Sequence, residues 1–211
     1  MKRGVVFDSE EAIETGFHAY DQEARTPGFT DLRKGNPYLL IHQAFAKWYT
    51  QVLPKIGEVL AIEWHFEDLP IYEDSERVIL GSGTVDFVES GAITDWKTAS
   101  KTWKWDAWEK KRWGIQPSMY VPAWERHSGE RLPFVWWVFV HGQDAVERYE
   151  TTKGLEHDAW FAEQCKNYAE QAEAYQQGAL REWMKNDGGW WCNDQWCGNW
   201  ARCKGANGIT Y

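Results

Sequence analysis

Apolar residues recur along this chain with two periods, and the switches between them mark out the elements. From Asp8 to Arg25 the spacing is helical. Ile13, Phe17 and Tyr20 share a face, Asp8 can cap with Glu11 three positions on, and Thr26-Pro27-Gly28 should stop the run. Asn36 before Pro37 predicts a second start, and Leu40, Ile41, Ala44, Phe45, Trp48 and Tyr49 give that helix its stripe. Between Glu58 and Phe66 the period becomes two, which predicts a strand with Ile62, Trp64 and Phe66 on one side and Glu63 on the other. Leu69 to Glu76 reads as a polar loop, and Arg77 to Leu80 begins the next strand, which Gly81-Ser82-Gly83 should bend or bulge. Two strand-like runs follow, Gly83 to Val88 and Ile93 to Thr98, with Glu89-Ser90-Gly91 as a tight turn between them. Gln116-Pro117 predicts a helix start, Leu132 to Val140 a core strand covered on both faces, and Leu155 to Met184 a long helix that Gly178 interrupts.

The pair of short strands carries the candidate chemistry. Side chains two apart in a strand share a face, so Asp95 and Lys97 point one way while Thr94 and Trp96 point the other. If the runs form a hairpin, with strands about 4.8 Å apart, Asp86 stands beside Asp95. Two carboxylates that close suit a hard divalent cation, Mg²⁺ or Mn²⁺, and an adjacent lysine can meet charge on phosphoryl oxygens or position a water. The plainer reading is that Asp86 caps a turn and Asp95 with Lys97 is a surface ion pair.

Gly83-Thr84-Val85-Asp86, then Asp95-Trp96-Lys97-Thr98, then Gln116 and Tyr120, resemble the ordered motifs of the PD-(D/E)XK nuclease superfamily, in particular its RecB-like exonuclease branch. The resemblance implies an α/β fold with a restriction-endonuclease-like core, a central mixed β-sheet flanked by helices. It implies that Asp86 and Asp95 bind Mg²⁺ or Mn²⁺, that Lys97 is catalytic, and that the Gln116 to Tyr120 motif contacts DNA. Upstream, the run from Glu58 to Glu63 resembles the preceding strand of that family, making Glu63 a further acidic candidate. His42 resembles a helical histidine that ligates the metal, and the main-chain carbonyl of Trp96 is a further candidate ligand. The activity implied is phosphodiester hydrolysis by a DNA exonuclease in recombination or end processing, beside a helicase or a single-strand annealing protein, with self-association open. An inactive DNA-binding or assembly component and an RNA nuclease are the alternatives.

Composition changes this picture in two places. The formal charge of −9 argues against nucleic-acid binding by the surface at large, but a local track needs only one face. Lys101, Lys104, Lys110, Lys111 and Arg112 provide such a track, interleaved with Trp103, Trp105, Trp108 and Trp113. The same segment could equally pack its tryptophans inward and leave its lysines in water.

Three of the four cysteines, Cys192, Cys197 and Cys203, crowd the C-terminus after Gly188-Gly189, and the fourth is Cys165. The division expected is a nuclease domain over 1–187 and a cysteine-rich appendage over 188–211. The spacing is looser than common zinc pairs and leaves reduced, packed thiols open beside a metal staple. The cysteines resemble the iron–sulfur staple of RecB- and AddB-type nucleases, which implies a [4Fe-4S] cluster or Zn²⁺. The N-terminal cysteine of that pattern is absent, so Cys165 would have to replace it. No run approaches 18 apolar residues, and the start lacks a signal-peptide core, so no membrane partner and a cytoplasmic site are the default expectation; the RecB-like resemblance implies a bacterial or phage-infected cell.

Overall fold

The structure is a computed structural model, and it describes residues 9–25, 36–99, 114–140 and 142–179. The chain divides into two compact units, Met1–Phe161 and Ala162–Tyr211. The first holds helices α1 (Ser9–Ala24) and α2 (Pro37–Lys47), a π-helical turn (Trp48–Val52) and a 3₁₀ turn (Leu53–Lys55). Strands β1 (Val59–Glu73), β2 (Val78–Glu89) and β3 (Ala92–Ala99), helix α3 (Ile115–Ser128), and strands β4 (Phe134–Val140) and β5 (Val146–Thr151) follow. Helix α4 (Leu155–Gln176) begins in this unit, and its remainder is the described part of the second. Lys101, Lys104, Lys110, Lys111, Arg112, Cys192, Cys197, Cys203 and the expected boundary at 188 lie outside the described residues. No helix among the described residues is long and apolar enough to cross a membrane.

The sheet has five strands in chain order, β1-β2-β3-β4-β5. All neighbours are antiparallel except β3 and β4, which run parallel from Ile93↔Phe134 to Ala99↔Val140 and are joined through α3. It is therefore the mixed, helix-flanked sheet expected. One core forms around Val85, Val88, Ile93, Phe134 and Trp136 with Val121 and Trp124 of α3; a second gathers Val52, Ala92, Val135 and Trp137. Strand β4 is buried along nearly its whole length, which its continuous apolar run requires.

Local chemistry explains most boundaries. The Asn36 side chain accepts from the Tyr38 N–H at 3.0 Å and Pro37 opens α2. Tyr38 meets Phe17 and Tyr20 edge-on, and Gly16 sits where a Cβ would strike Phe45, so α1 and α2 approach closely. Gly129, at φ 79, ends α3.

The expected polar loop over Leu69 to Glu76 is corrected: β1 runs on to Glu73. Leu69 and Ile71 pack into the first core, and Asp74 makes the turn by accepting from the N–H groups of Glu76 and Arg77. The bulge expected at Gly81-Ser82-Gly83 lies instead on the opposite strand, where the register shifts between Phe66 and Leu69 and Asp68 takes φ 53. The glycines have a different purpose. A Cβ on Gly81 would strike Ile71, and one on Gly83 would crowd Phe66 and Tyr120. Ile62 does not share a face with Trp64 and Phe66. Glu63 at φ 49 breaks the alternation, leaving Ile62 66% exposed while Ala61 packs toward the core. Strand β5 alternates half-buried and exposed positions and did not stand out in the apolar pattern.

Candidate active site at a fork in the sheet

The ladder between β2 and β3 is only three pairs long: Glu89↔Ala92, Val88↔Ile93 and Phe87↔Thr94. The next pair in that register is Asp86 with Asp95, and there the two strands part. β2 continues against β1, whereas β3 continues against β4. The acids thus stand where two strands leave one another and backbone polar groups lose their partners. The Trp96 N–H is one such group, and Asp86 Oδ2 accepts from it at 3.4 Å. The N–H and C=O of a strand residue point to the same edge, so the Trp96 carbonyl faces the fork as well.

Asp95 is 2% exposed, and Lys97 Nζ, on the same face of β3, lies 2.6 Å from its Oδ2. That approach is a close, charge-assisted ion pair in which the ammonium meets Oδ2. Gln116, in the first turn of α3, donates to Asp95 Oδ1 at 3.1 Å and also hydrogen-bonds Tyr120 one turn on. Burial pushes the Asp95 pKa up; Lys97 opposes that, and the Asp86 carboxylate adds to it. Burial likewise raises the Tyr120 pKa, Gln116 pulls it down, and the two aspartates raise it further, so the phenol keeps its proton. Asp86, Asp95, Lys97, Gln116 and Tyr120 therefore converge, across 35 residues of sequence, on one small volume.

The remaining candidates are placed differently. His42 is exposed on α2 and Glu63 is exposed on β1. No three His, Cys, Asp or Glu side chains converge among the described residues, so neither joins the two aspartates. Cys165 is half-buried on α4, and burial raises its thiol pKa. Two aromatic supports escaped the motif reading. Phe87 and Trp48 contact Trp96 with ring centroids 5.9 and 6.5 Å away, bracing the backbone between Asp95 and Lys97 from behind. Trp48 opens the π-helical turn; its sequence signal was only one more apolar position on the α2 stripe.

Would a divalent cation suit this donor set? Mg²⁺ binds through one or two carboxylates and keeps the rest of its shell for water and substrate phosphate. Two carboxylates, one of them buried with a charge that burial and its neighbour both disfavour, and a main-chain carbonyl facing them meet that requirement.

No protein-family model matches the chain, and no curated protein does. Among solved structures, the chain is similar to a crystal structure from Eubacterium rectale named "Putative exonuclease". The identity is 13%, the TM-score is 0.51, and the match covers 80% of this chain and 65% of that one. That likeness extends to the fold, a mixed sheet with flanking helices.

Proposed function

We propose that the protein is a divalent-metal-dependent DNA nuclease, acting as an exonuclease, whose active site is the fork between β2 and β3. The observation that carries this reading is a buried carboxylate, Asp95, in contact with one lysine and beside a second carboxylate, at the point where the strands open. An ion pair serving only stability would not place a second acid where it works against the first. The fold likeness to a protein named as an exonuclease agrees with the reading.

Asp86 and Asp95, with the Trp96 carbonyl, would hold Mg²⁺ or Mn²⁺, with His42 and Glu63 as additional candidates should substrate or metal draw them in. When bound, the cation supplies Lewis-acid activation of the phosphate and lowers the pKa of its water. Lys97 keeps its ammonium at the mouth of the fork, 35% exposed, where it can hold the attacking water and meet negative charge on the phosphoryl oxygens. Gln116 fixes one Asp95 oxygen and orients Tyr120, so α3 sets the direction of the carboxylate. Lys101, Lys104, Lys110, Lys111 and Arg112 are proposed to follow the DNA backbone, beside a helicase or annealing partner. A [4Fe-4S] cluster or Zn²⁺ at Cys165, Cys192, Cys197 and Cys203 remains a separate proposal, tested by metal analysis of the purified chain.

The test is digestion of end-labelled DNA and matched RNA with Mg²⁺, with Mn²⁺ and with chelator. A metal-dependent ladder on DNA is expected. Absence of turnover with either metal, or preferential digestion of RNA, contradicts the proposal.

A further inference from the structure

Strand β1 is an edge strand: β2 is its only strand neighbour among the described residues. Along its open side runs a groove of about 460 Å³ against the second half of α3. Trp64, Phe66 and Leu69 form one wall; Ala123, Arg126 and His127 form the other. Ala123 leaves room because it has no bulk, and the His127 ring is fixed against Trp64 and Trp124, with centroids 5.0 and 5.4 Å away. The groove thus has a mixed lining, apolar at Trp64, Phe66, Leu69 and Ala123 and polar at His65, Glu67, Arg126 and His127.

Three features say what it fits. First, an edge strand presents outward N–H and C=O groups, which another extended backbone satisfies and a nucleic acid does not. Second, β1 keeps one register with β2 from Ala61 to Phe66 and then shifts before Leu69, where Asp68 takes positive φ, so the part of the groove wall that is regular strand is Trp64 to Phe66. That window is about 10 Å long at the usual rise of a strand, the length of a short peptide segment. Third, Arg126 is exposed at the rim and has no ion-pair partner among the described residues, whereas Arg131 and Arg148 are both paired. One guanidinium at the rim, without an ion-pair partner among the described residues, on a chain of net charge −9 matches a single anionic group. A row of phosphates would instead face Glu67 on the wall and Asp68 beside it.

We propose that the groove between β1 and α3 docks an extended peptide segment of a partner protein. The segment adds as a strand alongside Trp64 to Phe66, seats an apolar side chain against Phe66, Leu69 and Ala123, and brings a carboxylate to Arg126. The site is separate from the fork and does not depend on nuclease activity.

The test pans a phage library of random octapeptides on the full chain, then measures a synthetic form of the enriched sequence by fluorescence anisotropy. Enriched sequences are expected to combine an acidic residue with apolar residues at alternate positions. N-methylation of alternate peptide amides should weaken binding at least about tenfold by removing strand hydrogen bonds. Arg126→Glu should weaken it by about tenfold or more while DNA cleavage is unchanged. No enrichment, or binding indifferent to both N-methylation and Arg126→Glu, overturns the proposal. Displacement of the peptide by oligothymidylate, with oligothymidylate binding lost in Arg126→Glu, assigns the groove to nucleic acid and overturns it too.

Discussion

Two partly buried ionic clusters stand in the same unit, and they are balanced in opposite ways. Arg131 donates to Glu125, to both oxygens of Asp158 at 2.7 and 2.8 Å, and to the Lys153 carbonyl at 2.6 Å. Burial opposes its charge, yet Asp158 and Glu125 outweigh burial and raise its pKa. Asp95 is more deeply buried, but its pKa is also raised, which for a carboxylate means that its charge is under-supported. The first cluster ties α3 to the start of α4 and has no unmet demand. The second lacks positive charge that its surroundings do not supply, and a cation would supply it.

That contrast can be broken or sharpened in several ways, beginning with the largest effect. Lys97→Ala should lower the cleavage rate by about 10²-fold or more, the scale of removing a group that meets transition-state charge, in protein that circular dichroism shows to be folded, and its melting temperature should fall because the buried Asp95 loses its counter-charge. Arg131→Met should leave cleavage by the folded protein unchanged and cost about 2–3 kcal/mol in denaturant unfolding, since Glu125 and Asp158 lose charge-assisted hydrogen bonds. If Arg131→Met instead abolished cleavage in protein shown to be folded, the division between the clusters would fail.

Asp95→Asn should abolish cleavage yet leave stability equal or higher at neutral pH. Its sign follows from linkage. An acid whose folded pKa lies above its unfolded pKa binds protons more tightly when folded, so stability falls as pH rises through that window. The wild-type chain should show this fall from acid toward neutral pH, and Asp95→Asn should flatten it. The smallest effect is thermal: millimolar Mg²⁺ or Mn²⁺ should raise the melting temperature of the wild-type chain and not that of Asp86→Asn. Equal shifts in both would mean that the cation binds elsewhere.

Much of this arrangement was legible in the sequence, for identifiable reasons. Period two fixed which side chains share the β3 face, so Asp95 with Lys97 followed from spacing alone. The turn at Ser90-Gly91 set the register that places Asp86 opposite Asp95. What spacing does not carry is where a ladder ends: the fork depends on β4 pairing with β3 from 41 residues away, through contacts such as Trp96↔Trp137. The same limit applies to β1. Its two positive-φ acids, Glu63 and Asp68, reset the alternation, so a strict period of two puts Ile62 inward and ends the strand at Phe66, seven residues before Glu73. His42 shows the reverse case: a helix and its cap were read correctly, but which side of the helix faces the sheet is decided by packing that the stripe alone does not specify.

The most direct test of the central claim is single-turnover cleavage of end-labelled DNA by wild-type and Lys97→Ala protein, side by side, with Mn²⁺ and with chelator. The account predicts metal-dependent cleavage by the wild type, at least about 10²-fold slower cleavage by folded Lys97→Ala, and none by either protein in chelator. Cleavage by Lys97→Ala at the wild-type rate, or by either protein in chelator, would contradict it.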